Sequence, residues 1–146
     1  MKYLFIYVIT ILLVSSCRSQ PSKITIMPNP VFSEVDTFEI SISKRPFSKH
    51  DYFLIKGNIG NKQELRNVID KFVKSNANKE CGKYGNYLMF FYKESSGVNE
   101  EAIQNMEISY RYKIFLWNKE EDYIASFDCW NSIPSEKIDF QPKYKN

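Results

Sequence analysis

His50 is the single histidine of the chain and stands next to Asp51. A histidine oriented by a carboxylate is the commonest general base, provided the two side chains meet. Adjacent residues on an extended chain point to opposite faces, so His50 is expected on a surface loop and not in a catalytic pair. A thiol–imidazole nucleophile would need Cys81 or Cys129 free and beside His50. Carboxylates gather at Glu100-Glu101 and at Glu120-Glu121-Asp122. Paired acids cleave glycosidic bonds when held about 5 to 10 Å apart across a sugar. Here they are expected at a helix start and in a turn, where acids are solvated and favour the helix N-terminus. Neither cluster has the alternating oxygen ligands and central glycine of a calcium loop. Gly82-Lys83-Tyr84-Gly85-Asn86 lacks the spacing of a phosphate loop and reads as a turn. No catalytic group, metal site or cofactor is predicted, and a small hydrolase is the remotest of the readings.

The aromatic residues point elsewhere. Trp117 lies on an alternating segment with Phe115, beside Arg111 and Lys113, while Trp130 and Tyr84 flank the two downstream cysteines. Exposed Tyr, Trp and Arg suit protein interfaces or sugar stacking. Trp117, Trp130, Tyr84 and Arg111 are therefore the candidate partner-binding residues, for a protein or a glycan.

The start of the chain has its own pattern. Lys2 is followed by an uncharged apolar run from Tyr3 to Val14 and by the small residues Ser15 and Ser16. This is the layout of a secretory signal. The run is shorter than the roughly 20 residues a bilayer-spanning helix needs. Val14-Ser15-Ser16-Cys17 resembles the lipobox of bacterial lipoproteins. The resemblance implies diacylation of the Cys17 sulfur, cleavage before Cys17 and acylation of the new amino terminus. Several acyl chains on one cysteine anchor stably, at roughly 0.8 kcal/mol per buried methylene. Arg18, not Asp, follows Cys17. For a Gram-negative cell the resemblance then implies the outer membrane, with the periplasmic side expected.

The chain has 146 residues and a net charge of +3, too balanced for a dedicated nucleic-acid binder. Cleavage would remove Lys2 and lower the charge to +2. At 16% aromatic residues the chain can build a core. The expected organisation is a cleaved signal over 1–16, a lipidated tether over 17–30, one domain over 31–140 and a polar tail over 141–146.

Within the domain, Leu65, Val68, Ile69, Phe72 and Val73 share a helical face, so the spacing predicts a helix over Lys62–Lys74. Asn61 and Glu64 fit its cap and capping-box partner. A short helix is expected between Asn99 and Asn105. Strands are expected at Phe38–Ser43, Tyr52–Ile55, Tyr87–Tyr92, Met106–Trp117 and Asp122–Trp130, with the last two forming a hairpin. The sum is an α+β fold, an antiparallel sheet of about four or five strands with one main helix on a face.

Two cysteines remain after lipidation. An even pair in an exported chain predicts a disulfide, Cys81–Cys129. The functional expectation is a lipid-anchored, non-enzymatic envelope protein that binds a protein or glycan, one version being an immunity protein against an exported toxin. A structural or assembly accessory of the outer membrane is the alternative.

Overall fold

The computed structural model describes residues 23–36, 47–107, 110–111 and 121–145. The lipobox with Cys17, the expected strand at Phe38–Ser43 and Trp117 lie outside the described residues.

Asn61 starts the main helix, α1 (Lys62–Glu80), by accepting a hydrogen bond from the Glu64 amide. This is the N-cap that satisfies one of the orphan amides of a first turn. Leu65, Ile69, Val73 and Ala77 follow at i+4 steps, and all four are buried. The helix thus runs two turns beyond the expected Lys74. Asn76 and Asn78 suggested an end, but Ala77 continues the apolar stripe between them. A second helix, α2 (Glu100–Gln104), is capped by the Asn99 side chain on the Ala102 amide and buries Ile103.

The sheet is built around β3 (Ser48–Lys56) and β4 (Asn86–Lys93), which run parallel from Ser48 opposite Asn86 to Ile55 opposite Lys93. Parallel neighbours need a crossover, and α1 supplies it. The helix is about 28 Å long at 1.5 Å per residue, enough to carry the chain back along the strand. The expectation of a wholly antiparallel sheet is therefore corrected at this pair. The other pairings are antiparallel. β1 (Thr25–Ile26) and β2 (Phe32–Asp36) share the outer edge of β3. β5 (Tyr123–Trp130) follows β4, and its far edge carries β6 (Ile133–Pro134) and β7 (Asp139–Phe140). The described residues thus form a mixed, mostly antiparallel sheet of seven strands with three helices, the third being α3 (Pro142–Lys145). The four extra strands are short, and three of them, β1, β6 and β7, have two residues each, too few for any alternation to show in sequence.

Three further expectations change. Tyr110 and Arg111 sit in a helical turn and not on a strand, with the Tyr110 amide bonded to the Glu107 carbonyl. β5 has β4 on one edge and β6 and β7 on the other, so the hairpin expected with Met106–Trp117 is not what it forms. The fold also takes in chain beyond 31–140: Ile24 is buried in the core, Thr25–Ile26 pair with β3, and Tyr144 of the expected tail is buried. The prolines at 28 and 30 and the lysines around Tyr144 dominated those stretches, hiding the one or two apolar residues that anchor them.

One face of the sheet packs on α1. Its core joins Phe53, Ile55, Met89, Phe91, Ile124 and Phe127 to the helix stripe. The other face carries a smaller cluster of Tyr52, Leu54, Tyr92, Val98 and Ile103 under α2. Ile69 is fully buried at the centre of the helix contact. Ile69→Ala should cost about 2 to 5 kcal/mol in urea unfolding. Lys71→Ala, on the exposed side, should stay within about 0.5 kcal/mol.

Candidate functional site

Alternation along β3 puts Lys49 and Asp51 on the α1 face and His50 on the other. Asp51 is buried, and its carboxylate is shared by three elements. It accepts from Ser33 Oγ of β2 at 2.5 Å and from Tyr87 Oη of β4 at 2.8 Å. Lys49 Nζ lies 3.1 Å away and also reaches Glu80, at the end of α1, at 3.3 Å. Glu80 holds Lys83 at 2.7 Å. The Lys49 ammonium stands over the rings of Tyr84 and Tyr87, which stack on one another. A small cavity of about 140 Å³ opens beside this cluster, between Pro28, Pro30, Asn76 and Lys79.

The protonation of these groups decides what they can do. Burial pushes the Tyr87 hydroxyl well above its ordinary range, and the Asp51 carboxylate beside it pushes the same way. Burial opposes the charge on Lys49, but the hydrogen bond to Asp51 and the attraction of Asp51 and Glu80 outweigh it, so its pKa is raised. Burial likewise opposes charge on Glu80, and the hydrogen bond from Lys83 and the pull of Lys49 win, so its pKa is lowered. A catalytic lysine or tyrosine needs the reverse, a pKa lowered toward neutrality. The cluster is a fastener that ties the end of α1 to three strands.

Cys81 and Cys129 extend that fastener. Cys81 caps α1 and Cys129 faces Tyr87 across the β4–β5 ladder. Their sulfur atoms lie at disulfide distance, with Cα atoms 5.9 Å apart, inside the range that a bridge spans.

His50 faces the other way, 3.7 Å from Glu34 and edge-on to Phe90. It does not meet Asp51. Among the described residues no three His, Cys, Asp or Glu side chains gather as metal ligands.

The three described candidate partner-binding residues, Tyr84, Arg111 and Trp130, do not converge. Tyr84 is half-buried in the Lys49 cluster on the α1 face. Arg111 is committed to the end of α2, donating to the carbonyls of Met106 and Gln104 at 3.1 Å each. Of these three, Trp130 stands out, at 61% exposure. The next strand returns from it through Asn131 and Ser132, whose φ angles are 49° and 67°. Two successive positive φ angles make the tight turn that matches the twist of a hairpin. Trp130 therefore pairs directly with Ile133, itself 71% exposed. Phe47 and Val35 are also exposed at this end of the sheet. The close lateral approach here depends on Gly85, where a Cβ would sit 2.7 Å from the Phe47 carbonyl oxygen.

The roles of Lys49, Asp51 and Tyr87 are hidden in the sequence, where the adjacent pair His50–Asp51 stands out over the i, i+2 pair Lys49–Asp51 that shares a face. Ile133 is hidden too, since it belongs to a strand of two residues. A separate groove of about 630 Å³ runs between α1 and the Pro134–Phe140 segment, floored by Val73, Ala77 and Phe127.

Comparison with known proteins finds no matching family model, no matching curated protein and no matching solved structure.

The fastener has a pH signature. Tyr87 and Lys49 are raised, so their contribution is complete below about pH 10 and is lost as the pH climbs through their folded values. Glu80 is lowered, so its contribution is present above about pH 4.5 and is lost on acidification below that. Tyr87→Phe should cost about 1 to 3 kcal/mol at neutral pH, through the donor withdrawn from buried Asp51. It should also flatten the alkaline arm of a urea-midpoint against pH plot; an unchanged arm would count against this account.

Proposed function

We propose that the chain is an exported, lipid-anchored protein of the bacterial cell envelope that acts by binding a protein partner. The observation that carries this reading is the Trp130–Ile133 pair, two large apolar side chains held in solvent on the tight hairpin between β5 and β6. Large apolar side chains standing together in solvent on a small domain are a feature of interaction surfaces. Tryptophan is among the residues that dominate binding energies. An isoleucine directly opposite Trp130 favours a protein over a glycan, since a sugar gains from the indole and little from a branched aliphatic neighbour. The lipobox-like segment ending at Cys17 supports an anchor, and the Cys81–Cys129 pair suits an oxidising compartment. Arg111 and Tyr84 are assigned positioning roles inside the domain. An inhibitor of an exported toxin is one concrete form of such a binder.

The anchor is tested in cells. The wild-type protein should fractionate with membranes and carry acyl mass on an N-terminal Cys17. Cys17→Ala should move it to the soluble fraction with the domain folded. Retention of that variant on the membrane would sink the lipid anchor. On reduction, the exported protein should gain the mass of two hydrogens. In the chain-entropy model, losing a bridge across a separation of 48 residues costs about 4 kcal/mol.

A further inference from the structure

The hairpin that carries Trp130 and Ile133 has little pairing of its own. β6 meets β5 at two positions, Trp130 opposite Ile133 and Cys129 opposite Pro134. Past the Ser135 amide, which donates to the Asp128 carbonyl at 2.9 Å, the ladder breaks until Asp139 meets Ser126. The other support comes from the loop that follows α1. The Asn131 amide donates to the Gly85 carbonyl at 2.8 Å. Gly82 lies against Ser132, whose hydroxyl oxygen would stand 3.8 Å from a Cβ built there. That loop is tied in turn to the helix end: the Cys81 amide donates to the Ala77 carbonyl, the Lys83 amide to the Glu80 carbonyl, and the Lys83 ammonium lies 2.7 Å from the Glu80 carboxylate. Cys81 opens the loop and Cys129 precedes Trp130, so their bridge would clamp the hairpin strand to the end of α1.

The two cysteines differ in access. Cys129 is 1% exposed, whereas Cys81 is half-buried. A thiolate attacks the sulfur it can reach. Attack on the Cys81 sulfur forms a mixed disulfide there and expels Cys129 as a thiolate, which takes up a proton and stays in the core as a small hydrophobe. The second thiol of a dithiol then attacks its own partner sulfur, so that Cys81 leaves as a thiol and the dithiol ends as a disulfide. Two electrons and two protons pass to the bridge. The packing of Leu65, Ile69 and Val73 on Phe53 and Phe91 does not run through that bridge, nor do the Lys49 contacts with Asp51 and Glu80. We infer that Cys81–Cys129 is a redox-sensitive catch on the Trp130–Ile133 hairpin. Oxidised, it holds the hairpin on the end of α1; reduced by a dithiol, it lets the loop 82–85 and the hairpin open locally while the sheet and α1 stay folded. Control of binding by the catch rests on the reading of Trp130 and Ile133 as a binding surface; the catch itself does not.

A bridge that only narrowed the unfolded ensemble would leave local opening of the native state as it was. Amide hydrogen exchange separates the two roles. In the full-length exported protein, dithiothreitol should speed exchange of the Asn131, Ser135 and Lys83 amides by about tenfold or more. The Lys93 and Glu94 amides, bonded to the Asp122 and Ile55 carbonyls at the other end of the sheet, should stay within about twofold, with the far-UV circular dichroism kept. Cys81→Ser combined with Cys129→Ala should give the same pattern without the dithiol. Unchanged exchange at Asn131 in the reduced protein, equal acceleration at both ends of the sheet, or loss of the far-UV signal overturns the catch. Its control of binding is read in cells from a photo-crosslinking residue at position 133. Protein adducts should form with the oxidised chain and be lost both on reduction and in Trp130→Ala. Adducts that survive reduction overturn that control, whereas adducts indifferent to Trp130→Ala overturn the binding surface and leave the catch standing.

Discussion

Among the described residues Asp51 is the carboxylate that the fold encloses, and much of the architecture answers to it. An isolated charge out of water costs several kcal/mol, and removing one partner of a buried pair costs about 3 to 5 kcal/mol. The chain meets that cost with one group from each neighbour: Ser33 from β2, Lys49 from β3 itself and Tyr87 from β4. Lys49 then needs a second acid, and Glu80 at the end of α1 supplies it. Satisfying one carboxylate thereby sets where β2 lies along β3 and how far α1 must run. A helix that stopped at Lys74 would leave Glu80 and Cys81 off the sheet. The same geometry brings Cys81 to Cys129, because Cys129 lies directly across from Tyr87.

The two faces of the sheet divide the work. On the α1 face, an i+4 stripe fills the space over Phe53, Met89, Phe91 and Phe127. On the other face, aromatic rings pack along the strands and not under a long helix: Phe32 stacks on Tyr52, Tyr52 on Phe90, and Tyr92 meets Tyr123 edge-on. Stacked and edge-on pairs contribute roughly 0.5 to 1.5 kcal/mol beyond their buried area. This face is closed at one end by α2 and by Val98 and Ile103. The other end is where Trp130 and Ile133 emerge. Among the described residues the aromatic rings are thus mostly core, and Trp130 is the most exposed of them.

What could be read from sequence followed the strength of the period. α1 has five apolar residues on one face and an N-cap asparagine, and its start is where the spacing put it. Tyr52–Ile55, Tyr87–Tyr92 and Asp122–Trp130 are dense apolar runs, and each lies within or over a strand. β1, β6 and β7 have two residues each, too few for any period, and they exist because a longer strand offers them an edge. The parallel β3–β4 pair follows from a helix between two strands, a pattern present in the sequence but overridden by the hairpin expected later. Among site residues, the Cys81–Cys129 pairing was legible from cysteine number alone, and Trp130 from its type. Arg111 was misassigned because an alternating run looked like a strand, whereas its guanidinium caps a helix. Lys49 and Asp51 were hidden by the histidine between them.

The hairpin after Trp130 is costly in two ways. Leaving a Trp and an Ile in water forgoes about 1.5 to 3 kcal/mol of burial for the aliphatic residue alone. Ser132 is in a left-handed conformation that favours Gly, Asn or Asp, at φ 67°. Neither cost helps the sheet, since β6 is an edge strand of two residues and β5 is already held by β4. A polar residue at 133 and a glycine at 132 would serve the isolated domain better. The hairpin is anchored where it matters, with the Asn131 amide on the Gly85 carbonyl and Cys129, one residue before Trp130, buried beside Cys81. An apolar pair fixed this firmly in an unfavourable medium is pre-organised, and pre-organisation lowers the entropy lost when a partner covers it. The rigidity built up from Asp51 through Tyr87 and Cys129 therefore ends at the surface, where it holds Trp130 and Ile133 in place for binding.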